Sequence, residues 1–281
     1  MKKVLISSDS CCDLFPDLYK KYEVNIIPLY ISIEGKSLRD QIEINPADIF
    51  KNVEITKKIP KTSAPSPSDF YNSFKPYLDE GYEIVHLSIN SHFSCSYQNA
   101  CITAEELKGV YVIDSLTIST AMGLLVIKAA QMRDNGLSAK EIAKRLEEIK
   151  SKPNTSFLLD NLEYAHKGGR CSTLQMLGAN LLRLRPCLHV DQQGIIKVIK
   201  TFRGNLAQAI GSYTKYMLEQ LDIDYSRVFI SHTGMAKELL DNVINMIKAD
   251  GRFKEILVTT TGCTIACHGG PNTLAVFYMK S

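Results

Sequence analysis

The sequence predicts an α/β protein built on a mainly parallel sheet flanked by helices in its first part and on a mixed sheet in its second. Apolar runs of strand length alternate with helical patterns between residues 84 and 133 and again between 227 and 279. That order lays parallel strands side by side with helices on their faces, and ligands bind beyond the carboxyl ends of such strands. In between, Asp191-Gln192-Gln193-Gly194 joins two strand-like runs as a hairpin. With 281 residues the chain is longer than most single cores, so two domains, residues 1–154 and 155–281, are expected, with one large α/β domain as the alternative.

Lys3 to Ser7 reads as the first strand, followed by the polar loop Ser8-Asp9-Ser10-Cys11-Cys12-Asp13 and a short helix from Phe15 to Lys21. Val24 to Ile31 reads as a second strand. Pro28 within it cannot donate a ladder hydrogen bond, which places it at an edge or a bulge, and Gly35 marks the next turn. Asn45-Pro46-Ala47-Asp48 and Ser66-Pro67-Ser68-Asp69 each start a helix with a cap residue and a proline at the first helical position. Phe70, Phe74 and Tyr77 with Leu78 recur at helical spacing and read as core. The apolar run from Ile84 to Ile89 turns abruptly into Asn90-Ser91-His92-Phe93-Ser94-Cys95-Ser96, a strand feeding a polar loop and then a helix from about Ser94 to Leu107.

The strand Val110 to Asp114 and the helix Ser119 to Arg133 follow; Asn135-Gly136 stops that helix, Ser138 caps another, and Lys152-Pro153-Asn154 closes the first domain. The second half opens with Thr155 to Asp160 and a flexible basic turn, Lys167-Gly168-Gly169-Arg170-Cys171-Ser172, ahead of a helix. The hairpin runs of Arg185 to Val190 and Gly194 to Lys200 come next. A helix from Asn205 to Leu221, a strand from Arg227 to Ser231, a helix from Ala236 to Ala249 and a strand from Glu255 to Thr259 lead into a polar turn, Thr260 to Pro271. Leu274 to Met279 is the last strand.

Composition narrows the function. Apolar residues at 45% supply a packed interior, and a net charge of +3 with no basic run interleaved with aromatics argues against nucleic acid. The first apolar run stops at Ser7, short of a signal-peptide core, and no run approaches the roughly 20 residues that cross a bilayer. A soluble, cytoplasmic protein is expected, and its eight cysteines then read as thiols. Cys263-x-x-x-Cys267-His268 is the stretch closest to a metal motif, but zinc needs three or four ligands and the segment offers no others. No metal and no cofactor are expected.

Enzyme signatures fail one after another. No Gly-x-Ser-x-Gly elbow is present, and Gly168-Gly169 and Gly269-Gly270 fit neither a P-loop nor a dinucleotide fingerprint. What survives is a set of hydroxyl-rich loops, Ser7 to Ser10, Thr62 to Ser66, Ser91 to Ser96 and Ser115 to Ser119, each at a strand end or before a helix. Each alone is more simply a cap or turn; together they could line one cleft for an anion such as a carboxylate or phosphate. His268, beside Gly269-Gly270-Pro271, could donate to a carboxylate oxygen.

The whole chain resembles the DegV family of bacterial lipid-binding proteins, which includes the fatty-acid-carrying subunits of fatty acid kinase. The resemblance runs through Ser8-Asp9-Ser10-x-x-Asp13-Leu14, Thr62-Ser63-x-Pro65-Ser66, Ser94-x-Ser96-Tyr97-Gln98, Lys167-Gly168-Gly169-Arg170 and His268-Gly269-Gly270-Pro271. It implies a two-domain protein that buries one long-chain fatty acid near the domain interface and does no chemistry itself. Thr62, Ser63, Ser94 and His268 would hold the carboxylate. A partner, the fatty acid kinase catalytic subunit, would phosphorylate it to an acyl phosphate for phospholipid synthesis. Arg170 and Arg203 would be candidates for docking that kinase. The resemblance implies no nucleic acid partner and no stable membrane insertion, with transient membrane contact left open. His92 and Cys95 stand where the family usually has glycine, so the carboxylate loop is expected to have altered geometry. Two rival readings are an enzyme acting on a small phosphorylated or carboxylated metabolite in the same cleft, and a redox or metal-sensing protein using Cys263 and Cys267.

Overall fold

The computed structural model describes residues 2–160, 162–170 and 184–281. Along the first part run β1 (Lys3–Asp9), a 3₁₀ turn (Ser10–Cys12), α1 (Pro16–Lys21), β2 (Val24–Ile27), β3 (Tyr30–Ile33), β4 (Lys36–Arg39), α2 (Pro46–Thr56) and β5 (Lys61–Ser63). These are followed by α3 (Pro67–Asp79), β6 (Tyr82–Ser88), α4 (Ser96–Glu106), β7 (Val110–Asp114), α5 (Ser119–Asp134) and α6 (Ala139–Ile149). The second part comprises β8 (Pro153–Leu158), α7 (Leu162–Gly168), β9 (Leu184–Val190), β10 (Ile196–Arg203), α8 (Leu206–Leu218), β11 (Ile223–His232), α9 (Lys237–Asp250), β12 (Ile256–Thr260), α10 (Cys263–Gly269) and β13 (Leu274–Lys280).

Three sheets organise these elements. The first, in the order β2-β1-β6-β7, is parallel throughout, and the second, β10-β9-β8-β13-β11-β12, is antiparallel except for the β11–β12 pair. The third, β4-β3-β5, is a small antiparallel sheet. Sequence patterning did not anticipate it: β4 is mostly exposed and β5 is a hydroxyl cluster, so neither carries the apolar alternation that marks a strand. The expected strand from Val24 to Ile31 is in fact two, split at Pro28. Its first half is the edge strand β2, and its second half crosses to pair with β4 and β5.

Two further corrections concern helices. The stretch expected as a polar turn from Thr260 to Pro271 contains α10, and α7 runs into the glycine-rich basic turn, taking up Lys167 and Gly168. Cys171, Ser172 and the helix expected after them lie outside the described residues. The cap residues read from sequence hold as predicted: Asn45, Ser66 and Ser138 each form a capping box with an acidic residue three positions on.

The two larger sheets meet through α5. Nearly every residue from Ser119 to Ala130 is buried, because the helix packs on β1 and β6 and also on β8, β11 and β13. One core cluster accordingly runs from Ile6, Val85 and Leu87 through Leu125 and Val126 to Phe157 and Phe277. Beyond the carboxyl ends of β6 and β7 the filling is incomplete, and a cavity opens there.

Candidate ligand-binding cavity

The cavity holds about 300 Å³, at the small end of the range for ligand pockets. Leu29, Ile89, Phe93 and Ile118 from the first part and Phe157, Ile196, Ala275 and Phe277 from the second make its walls apolar. Thr264, Ile265 and His268 line it from one stripe of α10 at helical spacing. Thr62, Ser63, Ser94 and His268, the four candidate head-group residues, all lie on its surface, as does Arg170. Arg203 does not: it is exposed at the end of the edge strand β10.

Thr62 and His268, far apart in the chain, are in contact, with Thr62 Oγ1 3.0 Å from His268 Nε2. β5 fixes Thr62 opposite Ile31, and α10 packs against β3 and β5. The other imidazole nitrogen, Nδ1, is buried without a hydrogen-bonding partner among the described residues. It faces Gly168, and a Cβ there would collide with Nδ1, so the end of α7 can come up against this edge of the ring only because that position is glycine. Burial, with Arg170's charge adding to it, holds the His268 pKa down at about 4, so the ring is neutral near pH 7 and carries one N–H. A buried N–H without an acceptor is rarer than an idle lone pair. The proton therefore belongs on Nε2, donating to Thr62 and leaving the Thr62 O–H free to turn toward a ligand.

Ser94 is prepared in a similar way. Its Oγ accepts the Ser96 N–H at 3.2 Å, so its own proton is available to the cavity. Arg170, exposed beside these hydroxyls, donates from Nη1 to Gly168 O at 2.9 Å and from Nε to Phe93 O at 3.3 Å. It thereby ties the end of α7 to the loop carrying Ser94. Most other hydroxyls of the wall are engaged within the protein. Ser119 donates to Asp13 Oδ2 (2.6 Å), Thr264 to Asp40 Oδ2 (2.7 Å) and Thr273 to Gly269 O (2.7 Å), while Ser231 bonds Thr120.

Three buried carboxylates, absent from the sequence-derived site, hold these loops in place. Asp9 accepts from Ser88 Oγ, Ile89 N and Ser96 Oγ at 2.8, 2.8 and 2.9 Å, fixing the Ser94 loop to the parallel sheet. Asp13 accepts from Ser119 and from Gly262 N (2.8 Å), and Asp40 from Ser10 Oγ, Cys263 N and Thr264. Asp13 and Asp40 thus cap the amino end of α10 from distant parts of the chain, and a Cβ on Gly262 would collide with Gln41 and crowd both carboxylates. The signal for Asp9 and Asp13 in the sequence was the pair of acidic residues in the Ser8-to-Asp13 loop, since a buried carboxylate needs donors, whereas Asp40 carried no such mark.

His92 and Cys95 fit their loop without strain: neither adopts left-handed backbone. Cys263 and Cys267 point into the interior of α10's packing and are fully buried. Burial pushes both thiols up, Cys267 to about 12, which keeps them protonated and unreactive. Among the described residues no group of three or more His, Cys, Asp or Glu converges on a metal position.

Fold and cavity together define a class: an α/β protein with one parallel and one mixed sheet enclosing an apolar chamber with Thr62, Ser63 and Ser94 on its wall beside His268. The family model described as "Uncharacterised protein, DegV family" matches residues 3–281, and the chain belongs to that family. A fatty acid-binding protein of Thermotoga maritima is 31% identical over 280 residues, covering 97% of this chain and 96% of its own. A DegV domain-containing protein of Clostridium perfringens is 32% identical over 284 residues, covering 100% and 99%. The structure of a fatty-acid-binding DegV family protein from Thermus thermophilus superposes with a TM-score of 0.89 at 28% identity, covering 100% of both chains.

Proposed function

We propose that this protein binds a single long-chain fatty acid, with its carboxylate accepting from Thr62, Ser63 and Ser94 while His268 completes the cluster by orienting Thr62, and presents it to a fatty acid kinase for phosphorylation to an acyl phosphate that feeds phospholipid synthesis. The observation that carries this reading is an apolar cavity in which Thr62 and Ser94 keep hydroxyl protons for a ligand beside a neutral imidazole. Burying an acyl chain is worth about 0.8 kcal/mol per CH₂, so neutral donors suffice to orient the head. Arg170, beside those donors, is placed to meet the kinase or steady a phosphorylated head, and Arg203 would extend the docking face along β10. The chain's own role is that of a carrier: its histidine is neutral and committed to orienting Thr62.

The division into domains 1–154 and 155–281 belongs to the same proposal, with the fatty acid lying where the two meet. Among the described residues no helix is long and apolar enough to cross a membrane, in keeping with a carrier that works in the cytoplasm and meets membranes only transiently. Delipidated protein incubated with vesicles containing mixed fatty acids and then separated from them should carry off about one fatty acid per chain. Protein that emerges empty would refute the reading.

A further inference from the structure

The cavity has a second polar place on its wall, remote from the carboxylate donors. Thr261 lines the cavity, is 5% exposed, and its Oγ1 is buried without a hydrogen-bonding partner among the described residues. It precedes His268 by seven positions along a segment that is mostly α10, which separates the two by roughly 10 Å at helical rise. Hydrogen bonds bring two more wall hydroxyls to the same place. Asp13 accepts from Ser119 on one oxygen and from the N–H of Gly262, next to Thr261, on the other. Thr120, next to Ser119, bonds Ser231, and Thr261 N donates to the carbonyl of His232, next to Ser231. Ser119 and Ser231, both on the cavity wall, spend one side-chain hydrogen bond each and keep a lone pair unused; Thr261 Oγ1 spends none.

We infer that this cluster recognises an oxygen carried in the middle of the acyl chain, so that the preferred cargo is a fatty acid bearing a mid-chain hydroxyl or keto group. The inference rests on the fatty-acid reading above and adds to it a class of substrate. A plain acyl chain leaves Thr261 facing methylene groups, which can neither accept its proton nor donate to it. A hydroxylated chain satisfies Thr261 by donating or accepting, and Ser119 or Ser231 can accept the proton left over. A buried polar group that only one of two competing ligands can pair is a strong discriminator between them.

The test is a competition assay on the delipidated full chain, in which octadecanoic acid and octadecanoic acids carrying one hydroxyl at successive mid-chain carbons displace labelled octadecanoic acid. At least one positional isomer should bind about tenfold more tightly than the plain acid, the ratio that one neutral hydrogen bond gives. Thr261→Val should bring that isomer and the plain acid to the same affinity, and Thr261→Ser should keep them apart. If every isomer binds no better than the plain acid, or if the preference survives in Thr261→Val, the inference is wrong while the fatty-acid reading stands. Should Thr261→Val fail to fold, the ranking of isomers by the wild-type chain decides alone. If neither plain nor hydroxylated acids bind, both readings fall.

Discussion

At the residue scale the site depends on where a few protons sit. Thr62 receives a hydrogen bond from His268, and Ser94 one from Ser96, and each keeps a hydroxyl proton for the ligand. Thr62→Val and Ser94→Ala should each weaken fatty acid binding about tenfold, read by displacement of a labelled fatty acid; Thr62→Val should also lower the thermal midpoint, because it leaves the buried His268 N–H without its acceptor, and unchanged affinity in both would remove them from the head-group site. Protonation supplies a second prediction. His268 titrates near 6.5 in the unfolded chain and near 4 in the folded one. The unfolded state therefore binds the extra proton between those values, and stability falls as pH drops from about 6.5 to about 4. His189 and His232, whose pKa values burial also lowers, add to the slope, so the test is a difference: His268→Gln should flatten the urea midpoint against pH relative to wild type over that window. Parallel curves would contradict the buried, neutral imidazole.

The candidate head-group residues were within reach of the sequence because hydroxyls gathered at strand ends and because the resemblance singled out four of these residues. Thr261 was not, since one threonine at the end of the run Thr259-Thr260-Thr261 says nothing about its burial. The pairing of Thr62 with His268, and the glycine at 168 that the ring needs, were equally hidden, because each depends on residues that only the fold brings together.

At the level of elements, α10 is the piece the sequence concealed most completely. Its seven residues are too few for periodicity to show, and its capping groups, Asp13 and Asp40, come from outside the helix. A local capping box such as Ser66 with Asp69 is written in four consecutive residues and was read directly. Removing the distant cap should be costly: Asp40→Ala leaves Ser10, Cys263 and Thr264 without their acceptor, and a loss of about 2 kcal/mol or more is expected in urea unfolding. A change within a few tenths of a kcal/mol would show that α10 does not need this anchor. The same contrast accounts for the sheets. Apolar β1, β6 and β7 were legible as strands, whereas the small β4-β3-β5 sheet is defined by pairing that the short, mostly exposed β4 and β5 do not announce.

Across the whole molecule, α5 and the cavity occupy the space between the two larger sheets, so a ligand there touches residues from Leu29 to Phe277. Such a ligand acts as part of the core. A fatty acid at a hundred times its dissociation constant should add about 2.7 kcal/mol to the unfolding free energy, visible as a raised thermal midpoint on adding fatty acid to delipidated protein. The α/β class and the mixed character of the second sheet followed from alternation and one hairpin; the cavity did not, because a void is a property of how side chains fail to fill space and leaves no pattern in the chain. The most direct test of that void's purpose is native mass spectrometry of the protein as purified. A single population heavier than the bare chain by one long-chain fatty acid is predicted; bare chain alone, persisting after exposure to fatty acids, would contradict it.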